Sequence, residues 1–153
     1  MNRKRGKDMK IGFASDHRGY TLKEELIKEL KNEYEVVDYG TDSKDSVDYP
    51  DYAFILGNKV VNHEIDFGVA ICGSGIGISI ACNKVKGIRC AKVSSLEDVI
   101  ATRTDNDANI IAFGEKTNLK DALLWIKTFV NTATSQEEKH VRRRNKIKEY
   151  EEQ

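Results

Sequence analysis

Apolar residues along this chain follow two rhythms that alternate: short unbroken runs, and longer stretches with a three-to-four-residue period. The runs Lys10–Ser15, Tyr34–Tyr39, Phe67–Cys72, Ile88–Val93 and Asn109–Phe113 predict five strands. Between them, Thr21–Lys31 sets Leu22, Leu26, Ile27 and Leu30 on one face, with Glu and Lys opposite, and predicts a helix. Tyr52–Asn62, Ile76–Asn83, Leu96–Thr104 and Leu119–Val130 predict four more. The segment from Asp42 to Asp51 is polar and holds Pro50, the only proline, so it reads as a loop. Beyond Ser135 the chain is helical by propensity, but Val141, Ile147 and Tyr150 are its only apolar anchors. Such a helix cannot hold itself in place. It is expected to pack on a neighbouring subunit or to lie over a site.

The strands are apolar throughout instead of alternating, the mark of a parallel sheet covered on both faces. The expected fold is therefore α/β, a three-layer Rossmann-like sandwich with a five-stranded parallel sheet and an extra C-terminal helix. The division is a tail over 1–8, an α/β domain over 9–134 and the C-terminal helix over 135–153. Residues 1–8 are basic and aperiodic and are expected to be a disordered tail, or a start-site artefact given Met9. An arm that binds RNA or a protein partner is the alternative.

Composition narrows the function classes. At 153 residues one domain is the simplest reading. Lys+Arg and Asp+Glu balance at 25 each, so no global field draws nucleic acid or an anionic membrane. The apolar runs are too short to span a bilayer, and no secretory pattern opens the chain. Three cysteines, an odd number, read as reduced thiols in a cytoplasmic protein. No His, Cys and acidic cluster has metal-ligand spacing, so no metal is expected.

The candidate chemistry centres on Cys72-Gly73-Ser74-Gly75-Ile76-Gly77, where the third strand delivers a thiol into a glycine turn that opens a helix. Backbone N–H groups in such a turn bind anions and favour a thiolate, which serves as general base or nucleophile. The turn is not a dinucleotide fingerprint, because Ile78 stands where the third glycine belongs, and no Gly-Lys-Ser/Thr makes it a P-loop. Nor does an arginine follow six residues after the cysteine, as a phosphatase loop requires. Cys82 and Cys90 read as buried thiols. Ligands of open parallel sheets sit at the carboxyl ends of the strands. Asp16 and His17 end the first strand there and Cys72 ends the third; Asp105 and Asn106, before the fifth, are expected to reach the same rim from their loop. His63 reads as exposed. Lys139 and Arg143, at i and i+4, could grip a phosphate, or form a solvated face.

Taken together, Ser15-Asp16-His17-Arg18-Gly19-Tyr20, Asp38-Tyr39-Gly40-Thr41, Asp48-Tyr49-Pro50, Ile71 to Ser79, Asn83 to Arg89 and Asn106-Asp107-Ala108-Asn109 resemble the type B ribose-5-phosphate isomerase family, which includes the galactose-6-phosphate isomerase subunits. The resemblance runs from about Met9 to Ile147. It implies a pentose phosphate pathway enzyme that interconverts aldose and ketose phosphates through an enediolate, without metal or cofactor, as a homodimer or homotetramer. It also implies roles: Cys72 as the base, Ser74 and the N–H groups from Gly73 through Gly75 and Ile76 to Gly77 on the oxyanion, Asp16 and Asn106 on sugar hydroxyls, Tyr49 lining the pocket. His17, with Lys139 and Arg143 of a neighbouring subunit, would hold the phosphate.

Two departures stand out. Asp105 occupies the position where ribose-active members commonly have a ring-opening histidine, and Glu137-Glu138-Lys139-His140 stands where Gly-Gly-Arg-His is frequent. Ring opening would then fall to Asp105, His17 or water, or be left to solution. Two alternatives follow: a galactose-6-phosphate isomerase subunit that needs a partner chain, and a sugar-phosphate binding protein with weakened catalysis.

Overall fold

The computed structural model describes residues 4–153. The strands β1 (Lys10–Ser15), β2 (Glu35–Asp38), β3 (Phe67–Cys72), β4 (Cys90–Lys92) and β5 (Ile110–Gly114) alternate with α1 (Tyr20–Leu30), α2 (Tyr49–Val61), α3 (Ile76–Cys82), α4 (Leu96–Asn106) and α5 (Leu119–Asn131). A last helix, α6 (Glu138–Glu151), ends the chain. All strand pairs are parallel, in the order β2-β1-β3-β5-β4. This is the expected three-layer α/β sandwich.

Strand residues point alternately to the two faces, and the faces differ in bulk. One presents Ile11, Phe13, Val69, Ile71, Ile111 and Phe113 to α1, α4 and α5, where Phe113 meets Trp125 edge-on. The other presents Ala14, Ala70, Cys72 and Ala112 to α2 and α3, with Gly12 and Gly68 between. Small residues let those two helices sit low on the sheet: a Cβ on Gly12 would lie 2.3 Å from Ile65 Cδ1. Cys72 is on this closely covered face.

Several boundaries differ from expectation. Helix α2 starts at Tyr49, inside the predicted loop, because Pro50 sits in its first turn, where a fixed φ fits and the missing N–H costs nothing. Helix α4 runs past Thr104 to Asn106 and stops at Asp107, left-handed with φ 50°. Strand β4 is shorter than predicted, since Ile88 closes a turn onto Val85. The expected tail of residues 1–8 is ordered where it can be described; residues 1–3 lie outside the described residues. Gly6–Asp8 form a 3-10 turn, Lys4 Nζ meets Asp66 at 2.9 Å, Lys7 Nζ donates to the Lys31 carbonyl, and Met9 is buried in the core.

Helix α6 buries no residue. Polar contacts tie it down: Arg144 donates to the Asp105 and Ser135 carbonyls at 3.3 and 2.8 Å, and Glu151 accepts the Gly87 N–H at 2.8 Å. Among the described residues no helix is long and apolar enough to cross a membrane.

Candidate active site

The chain leaves β1 toward β2 on one side and leaves β3 toward β4 on the other, which opens a crevice at the carboxyl ends of β1 and β3. Cys72 closes β3 there, almost fully buried, and its Sγ receives the Gly75 N–H at 3.2 Å. That contact strengthens as negative charge gathers on sulfur. Gly75 holds a positive φ of 81° and packs against the Phe113 backbone, where an added Cβ would lie 2.6 Å from the carbonyl carbon. Only glycine fits. Ser74 Oγ accepts the Ile76 N–H at 3.1 Å, and the Tyr49 ring covers Gly77, 2.7 Å from where its Cβ would be. The turn is thus built from both sides by β5 and α2.

From β1, Asp16 turns back into the start of α1, where one carboxylate oxygen accepts the Arg18 and Gly19 N–H groups at 2.9 and 3.1 Å. His17 Nδ1 accepts the Val47 N–H at 3.2 Å, which leaves Nε2 as the protonated nitrogen of the neutral ring. The sequence-expected Asp16, His17, Tyr49, Cys72 and the whole Gly73–Gly77 turn therefore share one pole of the molecule.

Two features of this pole were not expected from sequence. Arg18 forms a two-pronged pair with Glu115, at 2.6 and 3.2 Å, and its guanidinium lies over Gly73. The hydrogen bond to Glu115, and its charge, hold the Arg18 proton more firmly, with Asp16 and Cys72 adding in the same direction; Arg18 in turn keeps the Glu115 carboxyl below its usual range. The second feature is Lys23, wholly buried, whose Nζ reaches both oxygens of Asp38 at 2.9 Å. Asp38 accepts the Gly40 N–H at 2.9 Å, and the Gly40 carbonyl takes the Ser15 N–H at 2.8 Å, so this buried charge braces the end of β1. No local pattern marks either pair. The hydrogen bond with Cys82, then burial, push the Cys90 thiol well above the ordinary range.

Asp105, Asn106, Lys139 and Arg143 are elsewhere. A helix that follows β4 runs back across the sheet, so its last residues, Asp105 and Asn106, arrive at the amino ends of the strands. Arg89, just before β4, fixes them there by donating to the Asn106 and Asp107 carbonyls at 2.9 and 3.1 Å. The length of β3, about 16 Å at the usual rise per residue, separates this pole from Cys72. The expectation that Asp105 and Asn106 reach the rim of Cys72 from their own loop does not hold within one chain. Lys139 and Arg143 are exposed on α6 beside the far pole, where Asp105 Oδ1 lies 3.5 Å from His140 Nε2. Among the described residues no group of three or more His, Cys, Asp or Glu could hold a metal ion.

Residues 11–147 match the model of the family described as Ribose/Galactose Isomerase. Ribose-5-phosphate isomerase B of Escherichia coli is 44% identical over 108 residues, covering 70% of this chain and 72% of that protein. The structure of Clostridium thermocellum ribose-5-phosphate isomerase B superposes with TM-score 0.89 at 46% identity, covering 94% of this chain and 98% of that one. Ribose-5-phosphate isomerase B of Mycoplasma genitalium, solved with bound ribulose-5-phosphate, superposes with TM-score 0.87 at 34% identity, covering 96% and 99%.

Proposed function

This chain belongs to the ribose/galactose isomerase family, and on that premise we propose that it interconverts ribose 5-phosphate and ribulose 5-phosphate through an enediolate, with Cys72 as the base. The observation that carries the reading is the Gly75 N–H donated to Cys72 Sγ, at the crevice where Asp16 and His17 also end. In the open-chain aldose the thiolate takes the proton from C2. The electron pair moves into the C1–C2 bond, and the C1 carbonyl oxygen becomes the enediolate oxygen. Passing the O2 proton to O1 and returning the abstracted proton to C1 yields the ketose. The Ser74 hydroxyl and the N–H groups between Gly73 and Gly77 stabilise the developing oxyanion.

The site is completed by a second copy. Within one chain the thiol stands at one pole, while Lys139 and Arg143 stand on α6 at the other. Two-fold pairing would set Asp105, Asn106, Lys139 and Arg143 of one copy over Cys72 of the other. Apolar side chains exposed beside the glycine turn, Tyr49, Phe54, Ile76 and Ile80, give such a pair a surface, and Ile147 and Tyr150 on α6 are the exposed apolar groups at the far pole. In sedimentation equilibrium the protein is expected as a dimer or tetramer.

Proton NMR of ribose 5-phosphate in D2O tests the chemistry. Ribulose 5-phosphate should appear, with deuterium at its C1 and then at C2 of the aldose. Product without deuterium would point to a hydride shift, and binding without product or exchange to a binding protein or a subunit that lacks its partner chain.

A further inference from the structure

Arg18 stands beside the residues that would carry the proton transfer, yet the enediolate chemistry gives it no task. It leaves the end of β1 on a fixed base. Its N–H goes to the Asp16 carboxylate at 2.9 Å, and Gly19 packs so closely on β3 that an added Cβ would lie 2.6 Å from the Ile71 carbonyl oxygen. From there the side chain crosses the glycine turn. Its guanidinium carbon lies 3.4 Å from where a Cβ on Gly73 would be, and Nε and Nη2 reach the two carboxylate oxygens of Glu115 at 2.6 and 3.2 Å. Glu115 directly follows β5, so two side chains form a strap from β1, over the end of β3, to β5.

Glu115 holds the turn a second time, through its backbone. Its N–H donates to the Gly73 carbonyl at 3.2 Å, and the Thr117 N–H closes onto the Gly114 carbonyl at 3.1 Å in a tight turn that fixes where Glu115 points. Gly114 presses on the same peptide, since its Cβ would lie 2.9 Å from the Gly73 oxygen. These contacts set a direction. In a trans peptide the carbonyl of one residue and the N–H of the next point opposite ways. The Gly73 carbonyl faces β5, so the Ser74 N–H faces β1, the side on which the crevice opens. A flip of this peptide would put a carbonyl oxygen where the developing oxyanion needs a donor. Glycine has no side chain of its own to resist such a flip. The guanidinium packed over Gly73, tied to the residue that holds its carbonyl, opposes it.

We propose that Arg18 and Glu115 are positioning residues for the isomerisation: their ion pair clasps the Gly73–Ser74 peptide with its N–H toward the substrate. The clasp has this role only if the isomerase reading above holds. Both groups are charged at neutral pH, Glu115 because Arg18 keeps its carboxyl below the usual range. The side chains are 56% exposed for Arg18 and 26% for Glu115, so the pair adds little to global stability and acts locally, on the turn.

A double-mutant cycle tests the clasp. Arg18→Gln and Glu115→Gln are each expected to lower kcat for ribose 5-phosphate about fivefold, the scale of a partly exposed ion pair. KM should hardly move, because the peptide meets charge that develops only in the transition state. Deuterium entry into ribulose 5-phosphate, which reads enolisation, should slow by the same factor. The double variant should lose no more than either single one, since one clasp is broken once. Arg18→Lys, which keeps the charge without the flat fork, should recover only part of the loss. Salt at about 1 M, which screens such a pair, should lower wild-type kcat more than that of the variants. Thermal unfolding should stay close to wild type in all of them. Unchanged kcat in either single variant, losses that multiply in the double, full recovery by lysine, or activity that falls in step with thermal stability would each overturn the proposal. If the wild-type protein itself gives neither turnover nor exchange, the isomerase reading fails, and the clasp falls with it by a visibly different result.

Discussion

The two poles of this molecule are built in opposite ways. At the carboxyl ends of the strands, Cys72 is buried among backbone: Gly75 backs onto Phe113, Gly77 onto Tyr49, and the donor to sulfur is a main-chain N–H. At the amino ends, charged side chains sit on a helix that buries no residue, held by ion pairs and carbonyl contacts. The first arrangement fixes atoms before any ligand arrives, which is what the proposed proton abstraction from carbon would demand. The second presents exposed side chains, on which the proposed grip of a phosphate would rest. On the proposed function, a preorganised base and a grip for the phosphate are different tasks, set at different ends of the fold.

Substitutions at the two poles should therefore fail differently. The largest effect is expected from Cys72→Ala: exchange and turnover should fall by about 10²–10⁴-fold, with thermal unfolding nearly unchanged. An active alanine variant would remove the contrast altogether. Gly75→Ala should instead cost stability, about 2–4 kcal/mol in urea unfolding, because both its φ and the Phe113 backbone oppose a side chain. Gly77→Ala meets only the Tyr49 ring, which can turn aside, so it should lower activity more than stability.

At the far pole, Arg143→Ala is expected to change stability by less than about 0.5 kcal/mol. It should raise KM for the sugar phosphate about tenfold with kcat little changed, as for an interaction made equally in ground and transition states. A drop in kcat alone would show the grip to be part of the chemistry. The smallest effect concerns Glu115. Its carboxyl is lowered in the folded state by Arg18, so its contribution to stability is complete above the usual carboxylate range and is lost as pH falls through its lowered value. Comparing wild type with Glu115→Gln between neutral pH and about pH 3 should show the two stability curves converging in acid; curves that stay parallel would mean the pair adds nothing.

What was legible in the sequence was whatever has a period or a local motif. The unbroken runs located every strand, and Gly73-Ser74-Gly75-Ile76-Gly77 marked the turn before any coordinates. Pro50 reads as a loop signal because proline breaks helices, yet it equally opens them, and propensity does not separate the two. The placement of Asp105 and Asn106 failed for a topological reason. Residues that precede a strand in the chain reach its amino end, so adjacency to β5 put them on the wrong rim for their own chain. Arg18 and Glu115, 97 residues apart, and Lys23 with Asp38, 15 apart, meet only once the sheet order is set. No short-range pattern encodes such pairs.

Separation of the poles has a genetic consequence. If each site draws its thiol from one chain and its far-pole residues from another, a protein defective in Cys72 and one defective in Asp105 are not equivalent failures. Co-expressed, they should form mixed dimers in which one site inherits both intact halves and the other neither. With random pairing, half of all dimers are mixed, which restores about a quarter of the wild-type sites. Two inactive alleles would thus complement each other. After gene duplication the same arithmetic would let each copy abandon one pole, so that a self-sufficient protein becomes an obligate pair of unequal subunits.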